Sequence, residues 1–185
     1  RIIEENRRRH KLLFPEYDPW SGQNGTVERN KIELNADGSF PIWIPYTMER
    51  EDIVQAIRKQ GSVSAVAGKL NKHPEEVFRD FNVIRCAHDF EFWAISSARI
   101  QDKTSKEMVS FRLRPAQRKL LARLEGMRLR QVPIRIIIVK ARQWGGSTLM
   151  QMYMAWIQLF HHRRWHSAIV ADVESQSRNI RSMYT

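Results

Sequence analysis

Ile134-Arg-Ile-Ile-Ile-Val139-Lys140-Ala-Arg-Gln-Trp-Gly-Gly-Ser-Thr148 is the stretch on which the fold turns. Its first six residues are apolar and β-branched but for Arg135, which is the pattern of a strand buried on both faces. They run into a loop with paired glycines, Gly145 and Gly146. An amphipathic segment follows, with Leu149, Met152, Tyr153, Trp156 and Leu159 on one side at helical spacing. After the basic turn at His161–Arg164, Ser167-Ala-Ile-Val-Ala171 has the composition of a second strand, and a further helix is expected from near Glu174. The pattern predicts a βαβ unit, hence an α/β fold, with a glycine-containing loop at the carboxyl end of its first strand.

A loop at that place is suited to phosphate. The start of a helix offers unfilled backbone N–H groups and the positive end of the helix dipole, and glycine lets the backbone come close. Against the usual Gly-x-x-x-x-Gly-Lys-Ser/Thr pattern, Gly145 falls on the second glycine and Ser147 on the hydroxyl. Gly146 stands where the lysine belongs, and Lys140 where the first glycine belongs. A lysine at the loop's start can reach the β- and γ-phosphates from the opposite side. Arg142 adds a second cation capable of bidentate phosphate contacts. The candidate nucleotide-binding residues are therefore Lys140, Ala141, Arg142, Gln143, Trp144, Gly145, Gly146, Ser147 and Thr148. Lys140 and Arg142 are the candidate catalytic pair, and Ser147 (or Thr148) is the ligand of a nucleotide-bound Mg²⁺. The bland alternative is a strand–turn–helix with solvated cations.

Upstream, residues 1–13 have the look of a basic helix, and residues 14–30, with Pro15, Pro19, Gly22 and Gly25, of irregular loop. A β-hairpin is expected next, with Ile32 and Leu34 alternating into an Asn35-Ala-Asp-Gly38 turn and Phe40, Ile42 and Ile44 returning. Residues 49–85 carry a helix ending at Gly61, a second capped by Ser62, and a third opened by Pro74. They resemble a helix-turn-helix unit, with Ala67 at the crossing and Leu70 and Val77 closing the core. Lys72, His73 and Arg79 would then face DNA. The alternative is a three-helix packing unit. Phe90, Phe92, Trp93, Ile95 and Ile100 suggest a buried helix, Phe111 and Leu113 a short extended piece, and Pro115 the start of another helix. The expected divisions are 1–48, 49–85, 86–131 and 132–185.

Charge is concentrated. The 185 residues carry a net +11, yet residues 1–102 hold 15 basic and 16 acidic side chains, while residues 103–148 hold 12 basic and 2 acidic. Such a block attracts polyanions. It lacks the aromatic-rich apolar face of an interfacial membrane helix, and the longest aliphatic run, Ile136–Val139, is far too short to span a bilayer. With a single cysteine, Cys86, no internal disulfide is possible, which points to a reducing compartment. The six histidines show no metal-ligand spacing, and Cys86 reads as a core residue.

Lys140-Ala-Arg142-Gln-Trp-Gly145-Gly-Ser147-Thr148 resembles the deviant phosphate loop of terminase large subunits, the ATP-driven DNA-packaging motors of tailed bacteriophages. The aromatic stretch Phe90–Trp93, Lys103 and Phe111-Arg-Leu113-Arg-Pro-Ala-Gln117 are similar to that family's upstream segments. Ser167–Asp172, with Gln176, Asn179 and Ile180, is similar to the strand and helix after its loop. The likeness covers residues 88–185. It implies a partial P-loop NTPase fold, ATP and Mg²⁺ as cofactors, and an adenine-side role for Gln117. It further implies double-stranded DNA, a portal protein and a small terminase subunit as partners, and assembly into a homo-oligomeric ring in the host cytoplasm. The family's Mg²⁺-organising and catalytic carboxylates and its nuclease cluster would lie after this chain, leaving Asp172 as a strand-end residue. The chain would then be the N-terminal part of a longer motor, binding ATP weakly and hydrolysing none alone. Two other classes fit the same residues: a different nucleic-acid ATPase such as a helicase, and a non-enzymatic DNA-binding or scaffolding module.

Overall fold

The computed structural model describes residues 2–5, 15–102, 105–139, 144–162, 164–168 and 170. Residues 2–5 are helical; the rest of the basic helix expected over 1–13 lies outside the described residues. The described chain is a mixture of helices with two small antiparallel sheets.

The first sheet is the expected hairpin. Strands β1 (Arg29–Glu33) and β2 (Pro41–Pro45) pair antiparallel with Ile32 opposite Ile42. The Gly38 N–H closes the turn on the Asn35 carbonyl at 3.1 Å. Alternation puts Ile32, Leu34, Ile42 and Ile44 on one face, each at most 2% exposed. A 3₁₀ turn (Tyr46–Arg50) leads to α1 (Asp52–Gln60), α2 (Val63–Leu70) and α3 (Pro74–His88). Their boundaries follow the sequence signals: α1 stops at left-handed Gly61, Ser62 Oγ accepts from the Ala65 N–H, and Pro74 opens α3. The hairpin face and the three helices share one core, in which Met48, Val54, Ile57, Val66, Ala67, Val77 and Phe81 meet the strand residues. Residues on both sides of position 48 thus belong to the same packing unit. Leu70, expected inside, is 57% exposed; α2 ends there, with Asn71 taking a left-handed turn, so the side chain falls past the core.

The second core is built from α4 (Phe90–Ser96), α5 (Pro115–Leu129) and α6 (Gly146–Phe160). Strands β3 (Arg99–Gln101) and β4 (Met108–Ser110) form a short ribbon at its side. Ile100, expected in the aromatic helix, sits in β3 instead. Phe90 is the hub, with Tyr153 and Trp156 edge-on at 5.6 Å each and Trp93 tilted at 5.7 Å. Such aromatic pairs add about 0.5–1.5 kcal/mol each beyond area burial. Leu149, Tyr153, Trp156 and Ile157 supply the buried side of α6; Leu159, expected with them, is 56% exposed.

The buried parallel strand expected over 134–139 is not formed among the described residues. Residues 132–139 form neither helix nor strand and pair with no strand among the described residues. Ile137 and Val139 are 96% and 98% exposed, while Ile134, Ile136 and Ile138 are about 40% exposed. The β-branched run has the period of a strand, but a strand is completed only by a neighbour that satisfies its backbone groups. The described part of the second expected strand, 167–168 and 170, is likewise unpaired, with Val170 93% exposed. The α/β expectation therefore holds at the level of mixed helix and sheet.

Candidate functional site

The site begins where α6 does. Gly145 occupies the position before the helix with φ +86, a left-handed conformation that disfavours a side chain, and no side chain caps the first turn. The Leu149 N–H bonds the Gly145 carbonyl at 3.1 Å and starts the helical ladder. Ser147 is exposed and Thr148 half-buried in that first turn. Lys140, Ala141, Arg142 and Gln143 lie outside the described residues, as do Lys103, Asp172, Glu174, Gln176, Asn179 and Ile180.

Two side chains from flanking positions shape the turn. Gln117, in the first turn of α5, is 3% exposed. Its Oε1 accepts from the Arg114 N–H at 2.8 Å, and its Nε2 donates to the Gly145 carbonyl at 2.8 Å. One side chain thus caps its own helix and grips the turn of another 28 residues away. A Cβ at position 145 would stand 2.6 Å from Gln117 Nε2. Trp144 lies across Gly146: a Cβ there would stand 2.7 and 2.8 Å from two indole carbons. The departure from the usual phosphate-loop pattern at 146 therefore has a local steric reason, because the indole fills the space a lysine stem would need. Trp144 Nε1 is buried with no hydrogen-bond partner among the described residues.

Behind the turn, one buried polar cluster holds α5 in place, and a second lies beside it. Arg118, next to Gln117, pairs with Glu91 at 2.6 Å and also bonds the carbonyls of Pro15 and Asn24. Glu91 Oε2 accepts from the Thr26 N–H at 2.8 Å. Beside it Arg29 and Arg85 converge on Asp89, with the Tyr17 hydroxyl donating to the same carboxylate at 3.0 Å. Burial alone would raise the Asp89 carboxyl, but the charge and hydrogen bonds of Arg29 outweigh it and hold it at about 2. Burial, with Asp89 beside it, pushes the Tyr17 phenol up.

At the far end of α5, Glu125 accepts from Tyr153 on α6 at 2.6 Å and takes a two-pronged contact from Arg128 at 2.8 and 2.7 Å. Arg128 also lies over the Trp156 ring at 5.1 Å. The Trp156 indole donates to the Cys86 carbonyl at 2.7 Å. Burial and the neighbouring Arg128 charge lower His161 to about 4.

The elements expected to form the site are thus partly assembled. Gln117 and the Gly145–Thr148 turn are brought together. The Gln117 amide is bonded to backbone on both sides, the arrangement of a residue that positions the turn. Lys72 and Arg79 are far along the chain on the three-helix unit; Lys72 pairs with Asp80 at 3.2 Å, and Arg79 is exposed beside Glu75 in a shallow groove. Arg29, Arg85, Asp89, Glu91 and Arg118 carry no local sequence signature: each resembles an ordinary surface charge until the chain folds back on itself.

The described part of the turn fits a phosphate group: a left-handed glycine, a second glycine and an uncapped helix start. Among the described residues no group of three or more His, Cys, Asp and Glu is placed to hold a metal ion. No protein-family model matches the chain, and no curated protein or solved structure shows significant similarity to it.

Proposed function

We propose that this chain is the nucleotide-binding front part of an ATP-driven motor that moves double-stranded DNA, of the kind that packages viral genomes. In this reading Lys140, Arg142 and the backbone N–H groups at the start of α6 hold the β- and γ-phosphates. Ser147 or Thr148 meets the Mg²⁺ carried by the nucleotide, and Gln117 sets the shape of the turn. ATP supplies the phosphoryl bond whose cleavage drives movement; a ring of copies, a portal and a small terminase subunit complete the proposed assembly.

The observation that carries this reading is the contact between Gln117 and Gly145. The two residues come from separate segments of the family resemblance, 28 positions apart, and they meet at 2.8 Å at the N-terminus of α6.

The test is equilibrium titration of the chain with a fluorescent ATP analogue and Mg²⁺. Saturable binding that falls by about tenfold or more in Lys140→Ala, the scale of a lost charge-assisted phosphate contact, supports the reading. Binding that is absent in the wild type, or equal in wild type and Lys140→Ala, rejects it.

A further inference from the structure

Helix α5 has two faces of opposite character. Gln117, Arg118, Leu121, Leu124 and Glu125 are buried against the second core. Rotated to the other side at 100° per residue lie Lys119, Arg123, Gly126 and Arg130, within a 60° sector. The three cations are exposed. Lys119 and Arg123 have no ion-pair partner among the described residues, and Arg130 bonds only the Gly126 carbonyl, at 2.8 Å. The single acid on α5, Glu125, is buried and bound to Arg128 and Tyr153, so nothing on this helix offsets the exposed charge.

Gly126 is the second observation. It sits in mid-helix between Arg123 and Arg130, with an ordinary backbone conformation, and a Cβ there would meet nothing within 4 Å. Glycine weakens a helix interior, and nothing among the described residues crowds this position. Its missing side chain leaves room for a surface to come close to the helix backbone.

We propose that this face of α5 docks the phosphate backbone of a double-helical nucleic acid without reading its sequence. From Lys119 to Arg130 the face runs about 16 Å along the helix, while a duplex offers a phosphate about every 1.7 Å of its axis. Gly126 lets the strand lie against the helix backbone between two arginines. The face carries no aromatic side chain, which single strands use for base stacking, and no Asn or Gln to read base edges. The proposal rests on the functional reading only for its class of substrate. The measurement is made without nucleotide, so loss of ATP binding and loss of this surface are separate results.

The experiment measures binding of the chain to a fluorescent duplex of about 30 base pairs by anisotropy, between about 50 and 200 mM salt. The triple variant Lys119→Ala/Arg123→Ala/Arg130→Ala is expected to bind at least about tenfold more weakly. Its log–log salt slope should be smaller by about 2–3, one for each lost phosphate contact. All three side chains are exposed, so circular dichroism should match wild type. Gly126→Ala is expected to melt higher yet bind more weakly. Lys59→Ala, an exposed cation on α1 of the other unit, should keep affinity and salt slope. An unchanged affinity and slope in the triple variant overturns the proposal. So does a triple variant that keeps duplex binding but loses binding to vesicles of anionic lipid, which would make the surface a membrane contact.

Discussion

The carboxylate of Asp89 receives both terminal nitrogens of Arg29, at 2.7 and 3.0 Å, across 60 residues of chain. Asp89 also caps α4 through the Phe92 N–H, at 3.2 Å. One side chain therefore ties β1 to the start of the second core. Replacing it by Asn leaves Arg29 and Arg85 buried without their counter-charge. Asp89→Asn should cost about 3–5 kcal/mol, the scale of a broken buried pair, read as a lower urea midpoint. The same group gives an acid limit. Its folded value of about 2 is depressed from the ordinary 3.8, so its stabilisation is complete above pH 3.8 and is lost as pH falls toward 2. In Asp89→Asn that portion of the acid transition should vanish.

A second pH effect belongs to His161. Held at about 4 against an ordinary 6.5, it stays neutral in the fold while the unfolded chain already takes up a proton. Stability should therefore decline as pH falls from 6.5 toward 4. His161→Asn should flatten the melting temperature over that window, and an equal pH slope in both proteins would disprove the assignment.

Gly145 and Gly68 should respond to alanine in opposite directions. At 145 the left-handed backbone and the Gln117 amide 2.6 Å from a Cβ both resist a side chain; the cost should be about 1–2 kcal/mol. At Gly68, an exposed position of α2, a Cβ meets nothing within 4 Å, and alanine should gain about 0.5–1 kcal/mol. Thermal denaturation of the two variants decides.

Restoring the ordinary phosphate-loop lysine should fail for a reason visible in the packing. Gly146→Lys drives a Cβ into the Trp144 ring and should destabilise by about 1–3 kcal/mol, as overpacking does. Adding Trp144→Ala should recover most of that loss. A single variant as stable as wild type would show that the indole is not what keeps position 146 free of a side chain.

How far the sequence carried depends on the range of the interaction read. The hairpin, the Ser62 cap, the stop at Gly61 and the Pro74 and Pro115 starts were legible because each depends on residues within a turn of one another. Residues 134–139 show where that ends. Ile134–Val139 has the composition of a buried strand, but burial is a property of neighbours, and the described chain supplies none. The candidate site divides the same way. The Gly145–Gly146 turn was legible from its glycines, and Gln117 from its place upstream. The Trp144 ring that makes Gly146 necessary was not, since a tryptophan beside a glycine signals nothing until its rotamer is known. The Arg29–Asp89 and Arg118–Glu91 pairs were invisible for a similar reason, joining charges whose sequence neighbours are ordinary.

The strap made by Arg118 sets a timetable. Its partners at Asn24 and Pro15 lie 94 and 103 residues earlier. A ribosome adding about 5–20 residues per second needs roughly 5–20 s to bridge that gap. Within that interval the hairpin and the first three helices can assemble, and the segment gains its earlier ties, Ser21 to Trp43 and Pro19 to Arg85, while the Pro15 and Asn24 carbonyls still wait for Arg118. Contacts of such separation also form slowly after synthesis ends. The carbonyls of Pro15 and Asn24 are therefore among the last groups of this segment to find their partner, and until Arg118 arrives their tie to the second core is missing.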